Sequence, residues 1–192
     1  MAPVPKPART NESAVEPSRT LRILVAYDGF ESGLRALQLY QRMSRNFDHE
    51  FFFDVDFWRF EILIRPSFGE EAALQAAQAD IVIIAVDGTC SLPFEVQIWI
   101  EKWVRKKTGQ QSAFVYLPAN PCQGTQGSTY LRAYLRGVAV RGNMDFISPL
   151  LQKNGSRRRP EWESSPRPTG EASSITEIVY RRLNHPQSGG NK

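Results

Sequence analysis

The chain has 192 residues, a formal net charge of +4, 41% apolar residues and 11% aromatic residues, which is typical of one globular domain with loose ends. No run approaches the roughly 18 consecutive apolar residues of a membrane span, and the N-terminus lacks the apolar centre of a secretory signal. We therefore expect a cytoplasmic protein with no membrane partner, and the diffuse positive charge argues against nucleic-acid binding as a main function.

Composition separates the two ends of the chain from its middle. Residues 1–20 contain four prolines, and residues 151–173 combine prolines and serines with a run of three arginines. Such segments bury too little apolar surface to offset the entropy of ordering, so we predict a disordered tail and a disordered linker. The folded domain is predicted over 21–150, followed by a C-terminal helix over 174–184 and a short disordered tail over 185–192.

Strands and helices alternate along the folded part. Continuous Val, Ile and Leu runs are typical of parallel strands covered on both faces. The second strand instead alternates, with Phe51, Phe53 and Val55 opposite Asp54 and Asp56, which predicts a half-exposed edge strand. The predicted strands are Leu21 to Tyr27, Glu50 to Leu63, Asp80 to Val86, Ser112 to Leu117 and Met144 to Leu150.

The connecting segments carry helical periodicity and helix-end signals. Ser67 and Glu70 form a capping box, Pro93 occupies a first turn, and Gly142 is placed to stop the last helix. The predicted helices run from about Phe30 to Arg45, from Ser67 to Ala79, from Pro93 to Lys107 and from Thr129 to Arg141.

Five strands joined by right-handed helical crossovers predict a three-layer, doubly wound α/β fold with a parallel sheet in the order 2-1-3-4-5. Strands one and three each end at an Asp-Gly pair, Asp28-Gly29 and Asp87-Gly88. Because ligands of such sheets bind beyond the carboxyl ends of the strands, we expect both acids at the mouth of one crevice.

Several strand ends can be matched to a known pattern. The stretch from Asp80 to Ala85 reads like a receiver strand of the DLVLLD type, and GNMDFISP, which contains Ser148, is similar to GADDYLVKP. Over roughly Leu21 to Leu150 the chain resembles a response-regulator receiver domain, a member of the flavodoxin-like superfold. The resemblance is at the level of the fold.

The residues of receiver phosphorylation are largely replaced. The resemblance places Tyr27 and Asp28 where receivers carry a pair of Mg²⁺-binding acids, and Ala85 where they carry the phosphate-accepting Asp. Pro118 stands where a Ser or Thr ends the fourth strand, and Ser148 replaces the lysine that offsets the phosphate charge. We therefore expect a receiver-like protein that is not phosphorylated, because the nucleophile and its charge partners are missing.

The crevice acids have two interpretations. Asp28 and Glu31 fit a capping box for the first helix, and Asp87, with Gly88 and Thr89, fits a tight turn. Alternatively Asp28 and Asp87, with Gly29 between strand and helix, hold Mg²⁺ together with water. No other cofactor is expected.

Two further segments are candidates for binding. Gly127, Ser128 and Thr129 lie between a strand and a helix, where backbone N–H groups can hold an anion, with Arg132 one turn later. The alternative is a mobile loop with Ser128 as the helix cap. Cys90 and Cys122 could form a redox pair or be incidental, and with His49 and His185 they give no metal-ligand spacing.

The helix after strand three carries a wide apolar arc. Its inner stripe is expected to pack on the sheet, whereas Phe94 and Ile98 lie on another side and are expected to be partly exposed. Two functions follow. The first is a non-catalytic, receiver-like signalling or protein-interaction module that is not phosphorylated and binds another protein or a second copy of itself. The second is a protein or enzyme that binds a nucleotide, a flavin or a phosphate ester in the Asp28/Asp87 crevice.

Overall fold

The computed structural model describes residues 20–47, 51–87, 91–107, 112–119 and 126–148. Within these ranges strands and helices alternate as predicted, except that two helices follow the second strand. The strands are β1 (Thr20–Tyr27), β2 (Phe52–Arg59), β3 (Ile81–Val86), β4 (Ser112–Pro118) and β5 (Met144–Ile147). The helices are α1 (Phe30–Phe47), α2 (Phe60–Leu63), α3 (Pro66–Gln78), α4 (Phe94–Lys106) and α5 (Gln126–Arg141).

The sheet is parallel throughout and has the order β2-β1-β3-β4-β5, which confirms the predicted α/β fold. Its two faces are covered by different helices. Alternate residues of the strands pack against α1 on one face and against α2, α3, α4 and α5 on the other. Every residue of the central strand β3 is buried, as expected for a strand with helices on both sides.

The predicted second strand is wrong at its end. It was expected to reach Leu63, but β2 ends at Arg59, and the next four residues form the short helix α2. Phe60 and Leu63, three residues apart, are both buried in the core under α3 and α4. Helical spacing of these two side chains buries both on one side, which an extended strand cannot do.

The predicted capping box of the next helix is also wrong. Helix α3 begins at Pro66, and the preceding Arg65 makes no side-chain cap. Proline suits this first position because its φ is already helical and it lacks the N–H that would be unsatisfied there. Gly69 lies against the end of α2, because a Cβ at this position would lie 2.4 Å from the carbonyl oxygen of Leu63. This close approach of backbones requires glycine.

The last helix begins earlier than predicted and ends at Arg141, as predicted. Helix α5 begins at Gln126, so Ser128 lies inside the helix and is not its cap. At the other end Asn143, with φ 51°, adopts the left-handed conformation that reverses the chain. Gly142 is the first residue after the helix, where the sequence places the stop, and it also has a packing role, since a Cβ there would lie 2.6 Å from Met144 Cε.

Parts of the sequence predictions lie outside the described residues. These are residues 1–19 of the predicted tail, residues 149–150 of the predicted fifth strand, the linker over 151–173, the C-terminal helix over 174–184 and the final tail over 185–192. Two predictions at these borders are wrong: Thr20 belongs to β1, and Ser148 lies beyond the end of β5.

Candidate functional site

The structure brings Asp28 and Asp87 together at the adjoining ends of β1 and β3. The parallel register sets Tyr27 beside Ala85, so both strands end at the same level of the sheet. Asp28 continues this pairing, because its backbone N–H donates to the Ala85 carbonyl at 3.3 Å. Its carboxylate then accepts the Asp87 backbone N–H at 2.8 Å, which ties the two strand ends to each other.

A backbone N–H group in the first turn of α1 is bonded by Asp87, the residue after β3, and not by the predicted Asp28–Glu31 capping box. Ser32 donates its backbone N–H to Asp87 Oδ2 at 2.9 Å. The Ser32 hydroxyl is fully buried, lies 2.6 Å from Asp28 Oδ1 and accepts the Gly29 N–H at 2.9 Å. Glu31 is exposed. The helix end is therefore satisfied by a carboxylate far away in sequence, which only the crossover geometry makes available.

Arg35 supplies the positive charge at this end of the sheet. Its Nη1 lies 2.5 Å from Asp87 Oδ1, and its Nη2 donates to the Val86 carbonyl at 2.9 Å. The two side chains are about one quarter and one third exposed. Sequence reasoning missed Arg35. The available signal was a cation one turn beyond Ser32 on the same side of α1, but its partner lies on another strand.

The Asp28 and Asp87 carboxylates are both engaged in contacts within the chain. The two carboxylates accept from protein donors, and a guanidinium lies against Asp87 where a divalent ion would have to approach. Within the described ranges, no group of three or more His, Cys, Asp or Glu side chains is placed to hold a metal ion. A Cβ added at Gly29 would lie 3.4 Å from Asp87 Oδ2, whereas Gly88 and Thr89 lie outside the described residues.

The anion-binding candidates are at the first two turns of α5. Gly127 and Ser128 belong to the helix, Thr129 is exposed and Arg132 is half-buried. The preceding loop lies outside the described residues, as do Cys90 and Cys122. The described part offers a helix N-terminus and a nearby cation, with no further group that points to a ligand.

Helix α4 has the two faces that its sequence predicts. Its inner stripe is buried and includes two tryptophans in contact, Trp99 and Trp103, with the second packed edge-on against Phe114. On the outer side Phe94 is 70% exposed and Ile98 is 43% exposed. The full inner stripe is Val96, Trp99, Ile100, Trp103 and Val104.

The outer face of α4 is the floor of a groove of about 720 Å³ between α3 and α5. We call it the α4 groove. Its apolar floor is formed by Phe94 and Ile98, and its remaining lining is polar. These other residues are Glu70, Gln97, Glu101, Lys102, Arg105, Lys106 and Tyr134.

Ion pairs within the chain occupy both acids of the α4 groove. On the α3 side, Glu70 accepts from Lys102 at 2.8 Å and lies 3.5 Å from Lys106, and these cations lower the pKa of the Glu70 carboxyl. On the α5 side, Glu101 accepts from Arg141 at 2.5 Å and from Tyr134 at 3.2 Å. These contacts cross-link α4 to both of its neighbours.

Tyr134 forms the α5 wall of the groove. Burial of its phenol, followed by the negative charge of Glu101 and the hydrogen bond to it, raises the pKa of Tyr134 to about 12. Arg141 acts in the opposite direction but less strongly. Tyr134 is therefore a neutral donor in the wall throughout the physiological range.

A second apolar surface was missed by sequence reasoning. Phe30, Leu34 and Leu37 are exposed and follow one another at helical spacing along the outer side of α1. Their spacing is visible in the sequence, on a different side of α1 from its buried residues. This α1 stripe differs from the α4 groove, in which Glu70 of α3 and Tyr134 of α5 flank the apolar residues.

Among the described residues, no helix combines the length and the apolar character needed to cross a membrane.

No protein-family model matches the chain, and no curated protein matches it. Solved structures do show likeness. Streptococcus pneumonia TIGR4 flavodoxin is 15% identical, with 66% of this chain and 79% of that chain covered and a TM-score of 0.44. The Trp repressor binding protein from Bacillus subtilis is 13% identical, with 66% and 80% covered and a TM-score of 0.40. The flavodoxin-like architecture of the chain rests on its own strand order and on the placement of its helices.

Proposed function

We propose that the chain is a non-catalytic, receiver-like protein-interaction module that binds another protein through the α4 groove. The observation that carries the proposal is the exposure of Phe94 and Ile98 on the floor of a groove with polar walls. Apolar side chains surrounded by a polar rim are the usual composition of a protein interface.

The state of the crevice supports this choice over the small-molecule alternative. Asp28 and Asp87 accept hydrogen bonds from the strand and helix ends, and Arg35 neutralises Asp87. Carboxylates that already accept hydrogen bonds within the chain must lose those bonds before they can bind a ligand. Ala85 is fully buried at the position where receivers carry their nucleophile, which supports a module that is not phosphorylated.

Photo-crosslinking in living cells tests the proposal. Benzoylphenylalanine replaces Phe94 in the groove or, as the matched control, Tyr130, which is 69% exposed on α5 and does not line the groove. We expect an adduct of defined mass from position 94 and none from position 130. The adduct should be lost when Ile98→Asp is added, because an uncompensated carboxylate in an apolar contact opposes binding.

A second control separates the two apolar surfaces. Leu34→Asp places the same charge on the α1 stripe at a site that is 38% exposed, close to the exposure of Ile98. We expect this variant to keep the adduct at position 94. Equal adducts from positions 94 and 130, or an adduct sensitive to Leu34→Asp and not to Ile98→Asp, would show that the α4 groove is not the docking surface.

A further inference from the structure

We infer that the occupant of the α4 groove is an amphipathic helix of a partner protein with acidic residues at its N-terminal end. This inference rests on the proposed function and specifies its partner. The apolar floor of the α4 groove, formed by Phe94 and Ile98, lies towards the N-terminal end of α4, and the basic side chain of Arg105 lies towards the C-terminal end of that helix. A ligand that matches both ends must be apolar along one part and acidic along the other.

The charge that the α4 groove offers to a ligand comes from lining side chains that have no ion-pair partner within the chain. Both lining acids, Glu70 and Glu101, are engaged by cations of the chain itself. Among the described residues Arg105 has no ion-pair partner, and it is exposed on the same outer side of α4 as Ile98. The groove therefore presents an uncompensated guanidinium, which pairs with carboxylates more specifically than an ammonium does.

The dimensions of the groove suit a helix of about three turns. Arg105 follows Phe94 by eleven residues, which along a helix is about 16 Å. A partner helix antiparallel to α4 brings its N-terminal turn beside Arg105, where its own acidic residues are also favoured by the helix dipole. Ile98 precedes Arg105 by seven residues. The partner should thus carry an acid followed by apolar residues about seven and eleven positions later.

Other occupants fit the groove less well. A nucleic acid could pair its phosphates with Arg105, but its charged backbone would leave the apolar side chains of Phe94 and Ile98 without a matching contact. The segment over 174–184 of this chain carries one acid, Glu177, together with Arg181 and Arg182, so its net charge has the same sign as that of Arg105. These occupants are alternative outcomes of the experiment.

The probe is a phage-displayed library of random peptides of about 16 residues, a length that spans the groove as a helix. The baits are the full parent chain, Arg105→Glu, Ile98→Asp and Arg136→Glu, each checked for folding by circular dichroism. Arg136 is the matched control, because it is exposed on α5 and does not line the groove. The parent and Arg136→Glu should enrich the acid-apolar-apolar spacing, and Arg105→Glu should enrich a basic residue at the acidic position.

Affinities of one enriched peptide complete the test. Arg105→Glu should weaken its binding about fivefold, and the same peptide with its acid changed to Lys should regain the loss on this variant. Binding without acid preference that still needs Ile98 would overturn the acidic partner but leave the proposed function intact. Enrichment that is equal on Ile98→Asp, or absent on the parent chain, would count against both.

Competition identifies the alternative occupants. An RNA oligonucleotide of about 16 nucleotides, or a synthetic peptide of residues 174–184, is added to the complex of the chain with the enriched peptide. We expect neither to displace the peptide. Displacement by the oligonucleotide would make the groove a nucleic-acid site, and displacement by the synthetic peptide would make it an internal docking site. Either result overturns the inference.

Discussion

Replacement of Arg35 by Met should destabilise the fold and leave the crevice acids without their positive partner. The substitution keeps an apolar stem but removes the guanidinium that contacts Asp87 and donates to the Val86 carbonyl. The lost hydrogen bond is worth about 1 kcal/mol, and the partly exposed ion pair about 0.5 kcal/mol after allowance for solvent screening. We expect the free energy of unfolding to fall by about 1.5 kcal/mol.

Urea denaturation followed by circular dichroism measures this loss at an unchanged m-value. Arg42→Met is the matched control, because Arg42 is exposed on the same helix and the structure gives it no partner among the described residues. A loss of about 1.5 kcal/mol should lower the melting temperature by roughly 5 °C in a domain of this size. Equal stabilities of the Arg35 and Arg42 variants would refute the role of Arg35 as the internal cation.

Thermal unfolding of the parent chain tests the magnesium hypothesis for Asp28 and Asp87. A ligand present at a hundred times its dissociation constant stabilises a fold by about 2.7 kcal/mol. Because Arg35 already neutralises Asp87, about 10 mM MgCl₂ should leave the melting temperature of the parent chain within about 1 °C. Stabilisation of the parent by several degrees would mean that the acids hold a cation despite the guanidinium.

Three further predictions concern packing and pH. Gly69→Ala should lower the free energy of unfolding by about 1 to 2 kcal/mol, because the new Cβ would lie 2.4 Å from a backbone oxygen. Gly137→Ala should raise the free energy of unfolding by up to about 1 kcal/mol, because only the end of an arginine side chain is nearby. Denaturant titration of both variants measures the sign of each change. Since the pKa of Tyr134 is raised to about 12, its contribution to stability is present below about pH 10 and is lost as the pH rises through about 12. The free energy of unfolding of Tyr134→Phe should therefore fall by about 1 kcal/mol less than that of the parent as the pH rises through this range. Equal pH dependence of the free energy of unfolding in the two proteins would contradict this. Burial, with the negative charges of Asp54 and Glu71, raises the pKa of Asp56, so its charged form opposes folding at neutral pH. Asp56→Asn should then be more stable than the parent at about pH 7 and equal to it at about pH 3, and an equal gain at both values would rule out the electrostatic cause.

The order of the strands could be predicted because the dominant signals are local. A continuous apolar run marks a strand buried on both faces, and alternation marked β2 as the edge strand. The handedness of the crossovers then leaves few ways to arrange five strands. The short helix α2 was missed because four residues with two buried side chains fit a bent strand as well as a helical turn.

The site was predictable only in part for a related reason. That Asp28 and Asp87 meet follows from strand order alone, since β1 and β3 are neighbours. What the acids bind depends on Ser32 and Arg35, whose contacts with Asp87 cross from α1 to β3. Such contacts are set by the rotation of the helix over the sheet, which residue spacing does not fix. The exposed side of α4 was predictable because it depends on the period of one helix.

The most direct test of the account compares the two candidate surfaces in one experiment. The ¹⁵N-labelled chain is titrated with an enriched library peptide and, separately, with FMN and with ATP and Mg²⁺, and amide shifts are recorded. We expect the peptide to shift amides of α4 and of the facing side of α5, while the nucleotides leave the amides around Asp28, Ser32 and Asp87 unchanged. Saturable shifts at these three residues with FMN or ATP, and none in α4 with the peptide, would contradict the account and establish the crevice as the functional site.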